Sequence, residues 1–209
     1  MKKLISFILV ITLALSMVAA MAEEEEFSVR NGIKFGMTPD EVRAIEAENG
    51  NENGEEFGRT ISYENVSVAG YPGTTIEYWF EDDSLFQIVY FIGAATGDET
   101  EKNAKAIVSD LYGSLKEKYG EPAYNGEVGP TCSEKFSLYL KQSTFYSVPG
   151  YSEWLLNKAD EYVNVDLFIL STLGTKYSPM LIYNKVADEL IESIEQAEED
   201  KQKQRDSDL

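Results

Sequence analysis

The sequence predicts an α+β domain: an antiparallel sheet of about five to seven strands with helices packed mainly on one face. Three observations lead there. In residues 99–119, Ala104, Ile107, Val108, Leu111 and Leu115 recur at steps of three and four, the spacing of one helical stripe. Ile76, Tyr78 and Phe80 alternate with Thr75, Glu77 and Trp79, the period of a strand with one buried face. Finally, Glu81-Asp82-Asp83-Ser84 is a short polar turn between that run and residues 85–92, so the two strands should form an antiparallel hairpin.

Residues 1–22 read as a secretory signal. Lys2 and Lys3 form a basic start, residues 4–18 an apolar run, and Ala20-Met21-Ala22 a small-x-small cleavage site. The run is shorter than the roughly 20 residues that span a bilayer, so a cleaved signal is favoured over an anchor and no transmembrane segment is expected afterwards. Residues 23–31 then form an acidic leader, 32–197 one α+β domain, and 198–209 a charged, flexible tail.

The domain should open on a helix. Thr38 has the position of an N-cap, Glu41 that of its capping-box partner, and Pro39 occupies the first turn, where a missing N–H costs nothing. Met37 and Val42 have the spacing of a hydrophobic staple. Residues 49–56 read as a polar loop with Gly50 capping the helix. Their alternating acids and amides invite a calcium reading, but the ligand order of a calcium loop is not met, and no metal site is assigned.

Strands are expected at 61–68, 74–81 and 85–92, followed by the helix at 99–119. Gly120 and Pro122 stop that helix. Residues 124–150 carry no clear period; 133–141 fits either a helix or a strand. Three further strands are expected at 151–156, 162–170 and 177–183, the last drawn toward a sheet edge by Pro179. Val163, Val165, Leu167 and Ile169 alternate with Asn164 and Asp166, giving one dry face and one wet. Val186, Leu190, Ile194 and Ala197 form the stripe of a final helix. The order helix, three strands, helix, three strands suggests a duplicated helix-plus-meander unit.

The composition excludes more chemistry than it supports. There is no histidine, which removes imidazole proton transfer and the Ser-His-Asp and Cys-His nucleophiles. The single Cys132 cannot form an internal disulfide and has no basic neighbour in sequence to activate it. No phosphate-cradling glycine loop occurs, and no cofactor is implied. With 37 acidic residues against 18 basic ones, a net charge of −19, the chain should repel nucleic acid and anionic membranes. It favours cations or a basic protein instead.

No catalytic residues are assigned. The surviving enzyme class is carboxylate chemistry of the glycosidase type acting outside the cell, for which Glu77, Glu153 and Asp166 are the acids inside expected strands. The leading expectation is a secreted or envelope-associated, non-catalytic protein that binds a protein or carbohydrate. Trp79 and Trp154 both lie out of phase with the apolar residues around them, and aromatics on a polar sheet face bury large area at little rotamer cost. The binding candidates are therefore Trp79, Glu77, Trp154 and Tyr90.

Gly36-Met37-Thr38-Pro39-Asp40-Glu41-Val42, followed by a meander, resembles the opening of the BamE/SmpA-OmlA small lipoproteins and of the β-lactamase inhibitor protein fold, over roughly residues 33–92. The resemblance implies a non-enzymatic protein with helices on one face of an antiparallel sheet and protein-binding loops or face on the other. The chain departs from the lipoproteins in lacking a lipid-attachment cysteine, and its Tyr119-Gly120-Glu121-Pro122 step follows the second helix rather than the first.

Overall fold

The computed structural model describes residues 27–93, 100–125, 146–147, 151–158, 161–172, 176–187, 190–192, 196, 199–200 and 203. The signal sequence, Cys132, Ile194, Ala197 and the 133–141 segment lie outside the described residues.

The first helix, α1 (Pro39–Glu48), starts as its sequence dictates. Thr38 Oγ1 accepts from the Glu41 amide, and the Thr38 amide donates back to Glu41 Oε2 at 2.8 Å. The helix ends at Asn49, beyond which Gly50 takes φ +86°. The meander follows: β1 (Glu55–Phe57), β2 (Thr60–Val68), β3 (Tyr71–Glu81) and β4 (Ser84–Phe91). Asp82 and Asp83 make the β3–β4 turn with both residues at positive φ, as a tight hairpin requires. Helix α2 (Glu101–Tyr119) begins at Thr100, whose hydroxyl accepts from the Asn103 amide, and stops at Gly120. Then come β5 (Tyr124–Asn125), β6 (Tyr146–Ser147), β7 (Ser152–Lys158), β8 (Glu161–Thr172) and β9 (Lys176–Lys185), and residues 190–192 start a third helix.

The strands form one antiparallel sheet in the order β1-β2-β3-β4-β9-β8-β7-β5, with β6 pairing on β8. Two meanders, each preceded by a helix, thus meet at a central β4–β9 seam. Among the described residues there are nine strands, more than the expected five to seven. β1 was expected to be loop, because all three of its residues are exposed and leave no apolar period to read. β5 and β6 are two-residue strands, too short for any period.

Pro179 does not put its strand at an edge: β9 lies between β4 and β8. Its carbonyl accepts from the Ile92 amide just past the last β4–β9 pair, Phe91↔Met180. In an antiparallel strand the N–H and C=O of one residue point the same way, so the missing N–H falls where β4 has already ended.

The main core lies on one side of the sheet. Ile61, Ile76, Tyr78, Ile88, Val165 and Leu167 from the strands meet Val42 of α1 and Ile107, Leu111 and Leu115 of α2. The two helices do not blanket this side equally: α1 buries only Val42 and Glu46, whereas α2 packs across β7, β8 and β9. The other side is not wet as expected. Val89, Tyr151, Phe168, Met180 and Ile182 form a second buried cluster there.

Glu46 is fully buried in the main core. Arg30 Nε donates to its Oε1 at 2.8 Å, Tyr78 donates its hydroxyl to the same oxygen, and the Asn51 side-chain amide donates to Oε2. Burial alone would depress the Arg30 guanidinium; the hydrogen bond and charge of Glu46 outweigh it and raise it. Nearby, the room for the loop after α1 is set by Gly54, where a Cβ would come within 2.6 Å of the Tyr63 ring. Tyr63 itself stands edge-on to Tyr78 at 6.0 Å.

Glu46→Ala should lower unfolding stability by about 3–5 kcal/mol in urea titrations, because it strands a buried guanidinium. Replacing the group together, with Arg30→Met, Glu46→Leu and Tyr78→Phe, should cost much less.

Candidate functional site

Directly paired residues of neighbouring strands project to the same face. Following the register outward from the seam, the second face carries a row Phe57–Thr60–Trp79–Gln87–Asn184–Asn164 and, beside it, a row Glu77–Val89–Ile182–Asp166–Glu153–Tyr124. Among the described residues the large exposed hydrophobics are Phe57, Trp79 and Tyr124, and all three belong to this face, at its two ends. Its centre is closed.

At the β1–β3 end, Phe57 is 89% exposed and Trp79 37%. Trp79 Nε1 donates to Glu77 Oε2 at 3.0 Å, which holds the indole along the strand. Partial burial raises the Glu77 carboxyl above its ordinary value, while the indole bond pulls it back. Of the four expected binding residues, the structure brings Trp79 and Glu77 together on an open surface.

The other two are core residues. Trp154 is 1% exposed; its Nε1 donates to the Gly120 carbonyl at 2.9 Å, and its ring lies 5.8 Å from Tyr112. Being out of phase with Tyr151, Glu153 and Leu155 does put it on the opposite side from them, but that side is the one α2 covers. Tyr90 is likewise buried, edge-on to Tyr183 at 6.1 Å, and burial pushes its hydroxyl well above the ordinary value. Phe57 was missed because an isolated aromatic next to two acids gives no strand signal.

Toward the far end of the face, two of the three strand acids converge. Glu153 and Asp166 are cross-strand partners, 0% and 1% exposed, and both reach the Tyr151 hydroxyl, Glu153 Oε2 at 3.0 Å. Asn164 Nδ2 donates to Asp166 Oδ1 at 3.1 Å, and Asn184 Nδ2 to Asn164 Oδ1 at 2.8 Å and to Asp166 Oδ2 at 3.3 Å. A phenol has one hydrogen, so it cannot donate to two carboxylates at once. The carboxyl of Asp166 supplies the second: burial, helped by the charge of Glu153 and opposed by the Tyr151 and Asn164 hydrogen bonds, pushes it up to about 7. Glu77 does not join this pair; Val89 and Ile182 stand between them in the row. Carboxylate catalysis needs a bound sugar between its acids, and these two have no opening to solvent.

A separate cleft of about 320 Å³ opens at the same end of the sheet as Trp79. It lies between the start of α1 and the β1–β2 and β3–β4 turns, and Glu56, Arg59, Asp82 and Asp83 supply its charges. Arg59 Nη1 is paired with Glu81 at 3.5 Å, and Arg43 with Glu56. Among the described residues there is no group of three or more acids, cysteines or histidines arranged to hold a metal ion, and no helix long and apolar enough to cross a membrane. No protein-family model, no curated protein and no solved structure matches the chain.

Two measurements check these placements. Acrylamide should quench the emission of the two tryptophans in two phases, with Trp79→Phe removing the accessible one and leaving a blue-shifted, protected Trp154. Asp166 binds in the folded state, up to about pH 7, a proton that the unfolded chain releases near 3.8. Its contribution to stability is therefore full at the acid end and is lost as pH rises through about 7. Asp166→Asn should flatten that part of the stability curve, read from urea midpoints on either side of the transition; an unchanged curve contradicts the assignment.

Proposed function

We propose that the protein is a secreted or envelope-associated, non-catalytic binding protein that engages a protein or carbohydrate through the Phe57–Trp79 end of its second sheet face. The single observation that carries this reading is the in-register placement of two exposed aromatics, Phe57 and Trp79, next to the half-buried carboxylate of Glu77. Trp79 offers a flat face and loses little rotamer freedom on contact, since Glu77 already holds it. Export rests on the signal-like residues 1–22. The mirror-like strand order about β4 and β9 is in keeping with a duplicated helix-plus-meander unit, and so with the resemblance of residues 36–42 to the opening of envelope lipoproteins and secreted inhibitors.

A second reading, a carboxylate hydrolase of the glycosidase type, is favoured by one observation, the convergence of Glu153 and Asp166 on Tyr151. It requires the closed centre of the face to open. No turnover of nitrophenyl glycosides is expected; turnover abolished by Glu153→Gln would replace the binding reading with this one.

The binding reading is tested by photo-crosslinking. A benzophenone side chain at position 57 or 79 should give the same discrete adduct when the protein is exposed to the exported fraction of its own cells, and one at Lys102, on the outer side of α2, should not. Equal labelling from all three positions, or none from 57 and 79, overturns it.

A further inference from the structure

We infer that the open edge of β1 takes up an extended segment of a partner protein as an added strand, and that this segment carries Lys or Arg together with an apolar residue that meets Phe57. The inference rests on the binding reading above and names the partner of that same surface.

β1 is the outermost strand of the sheet and pairs with β2 alone among the described strands. All three of its residues are exposed. An edge strand presents a row of N–H and C=O groups outward, and an extended peptide laid along it gains main-chain hydrogen bonds whatever its sequence. Selectivity then comes from the side chains, which alternate between the two faces.

Both faces at this edge carry negative charge. On the second face stand Glu55 and Phe57, with Trp79 two strands further in. On the first stands Glu56, which is paired with Arg43 and lines the cleft together with Asp82 and Asp83; the guanidinium of Arg59 is already turned to Glu81. A strand added along β1 therefore meets carboxylates on both faces and one aromatic surface, Phe57.

The same charges decide against the other occupants. A second copy would set its own Glu55 and Glu56 against these, in a chain of net charge −19, and like charges facing each other across a strand pair are destabilising. A nucleic acid or an anionic lipid surface is repelled for the same reason. A basic polypeptide is the occupant whose charge fits.

The test uses the full mature chain and two capped octapeptides, one of Lys and Val and one of Glu and Val in the same order. The expected result is saturable binding of the first peptide, with slower hydrogen exchange at the amides of residues 55–57, and binding at least tenfold weaker for the second. Phe57→Ala should weaken the first peptide about tenfold, as should the pair Asp82→Asn and Asp83→Asn. Asn tolerates the positive φ at both turn positions, and Phe57 is almost fully exposed, so both variants should keep the wild-type circular dichroism. Equal affinity for the two peptides, protection elsewhere than residues 55–57, binding unaffected by Phe57→Ala, or no binding at all overturns strand addition. If crosslinks still form at 57 and 79 in that case, only the strand-addition inference falls. If the crosslinks fail too, the binding reading falls with it.

Discussion

The buried carboxylate of Glu46 is the constraint on which the first half of the molecule depends. A carboxylate taken fully out of water is tolerated only when donors meet both of its oxygens, and three elements supply them: Arg30 from the entry segment, Tyr78 from the middle of β3, and Asn51 from the loop after α1. None of these partners is close to Glu46 in sequence except Asn51. The requirement therefore fixes the helix over the strand and the entry segment over both, and it fixes the turn that carries the chain from α1 to β1. Removing any one donor leaves a charge or a phenol uncompensated, which is why this group specifies geometry more than it adds stability.

The second half is organised by a different kind of polar core. Tyr151, Glu153, Asp166, Asn164 and Asn184 interlock on the face opposite the one that α1 and α2 cover. Here the charges are partly removed by protonation rather than by a cation: Asp166 holds its hydrogen into the neutral range, and that hydrogen serves the bond between its carboxyl and the Tyr151 hydroxyl. The outcome is a sheet with a buried polar feature on each side, one ionic and one acid-sharing, and an apolar cluster around each. Among the described residues the large exposed hydrophobics lie at the margins of the second face.

Legibility in the sequence followed how local the determining physics was. Thr38 with Glu41 is settled within one turn of chain, and the start of α1 could be read; the second helix, expected from residue 99, begins at Glu101 with Thr100 as its cap. The alternation of Ile76, Tyr78 and Phe80 against Glu77 and Trp79 was equally clear, and Glu77 and Trp79 do share the face opposite the main core. Phase, however, says only that two residues lie on opposite sides. It does not say which side is covered, so Trp154 and Tyr90, assigned to a contact surface, turned out to be core. The acids inside strands were visible as residues, but their convergence on Tyr151 depends on strand register, which no local pattern carries. Pro179 misled for a related reason, since what matters is where the neighbouring strand stops. β1 was illegible because an element with every residue in solvent has no periodicity to detect.

The central seam has a consequence for how the chain reaches this state. β4 is complete once residue 91 has been synthesised, yet the strand that covers its free side, β9, begins at Lys176 and is the last of the described strands. Until then the first meander carries an apolar, unsatisfied border, and joining it demands closure of the loop formed by residues 92–175, about two fifths of the polypeptide. Folding of this protein is accordingly a late, long-range event, slow by topology, during which a passing β-strand from a neighbouring chain competes for the place reserved for β9.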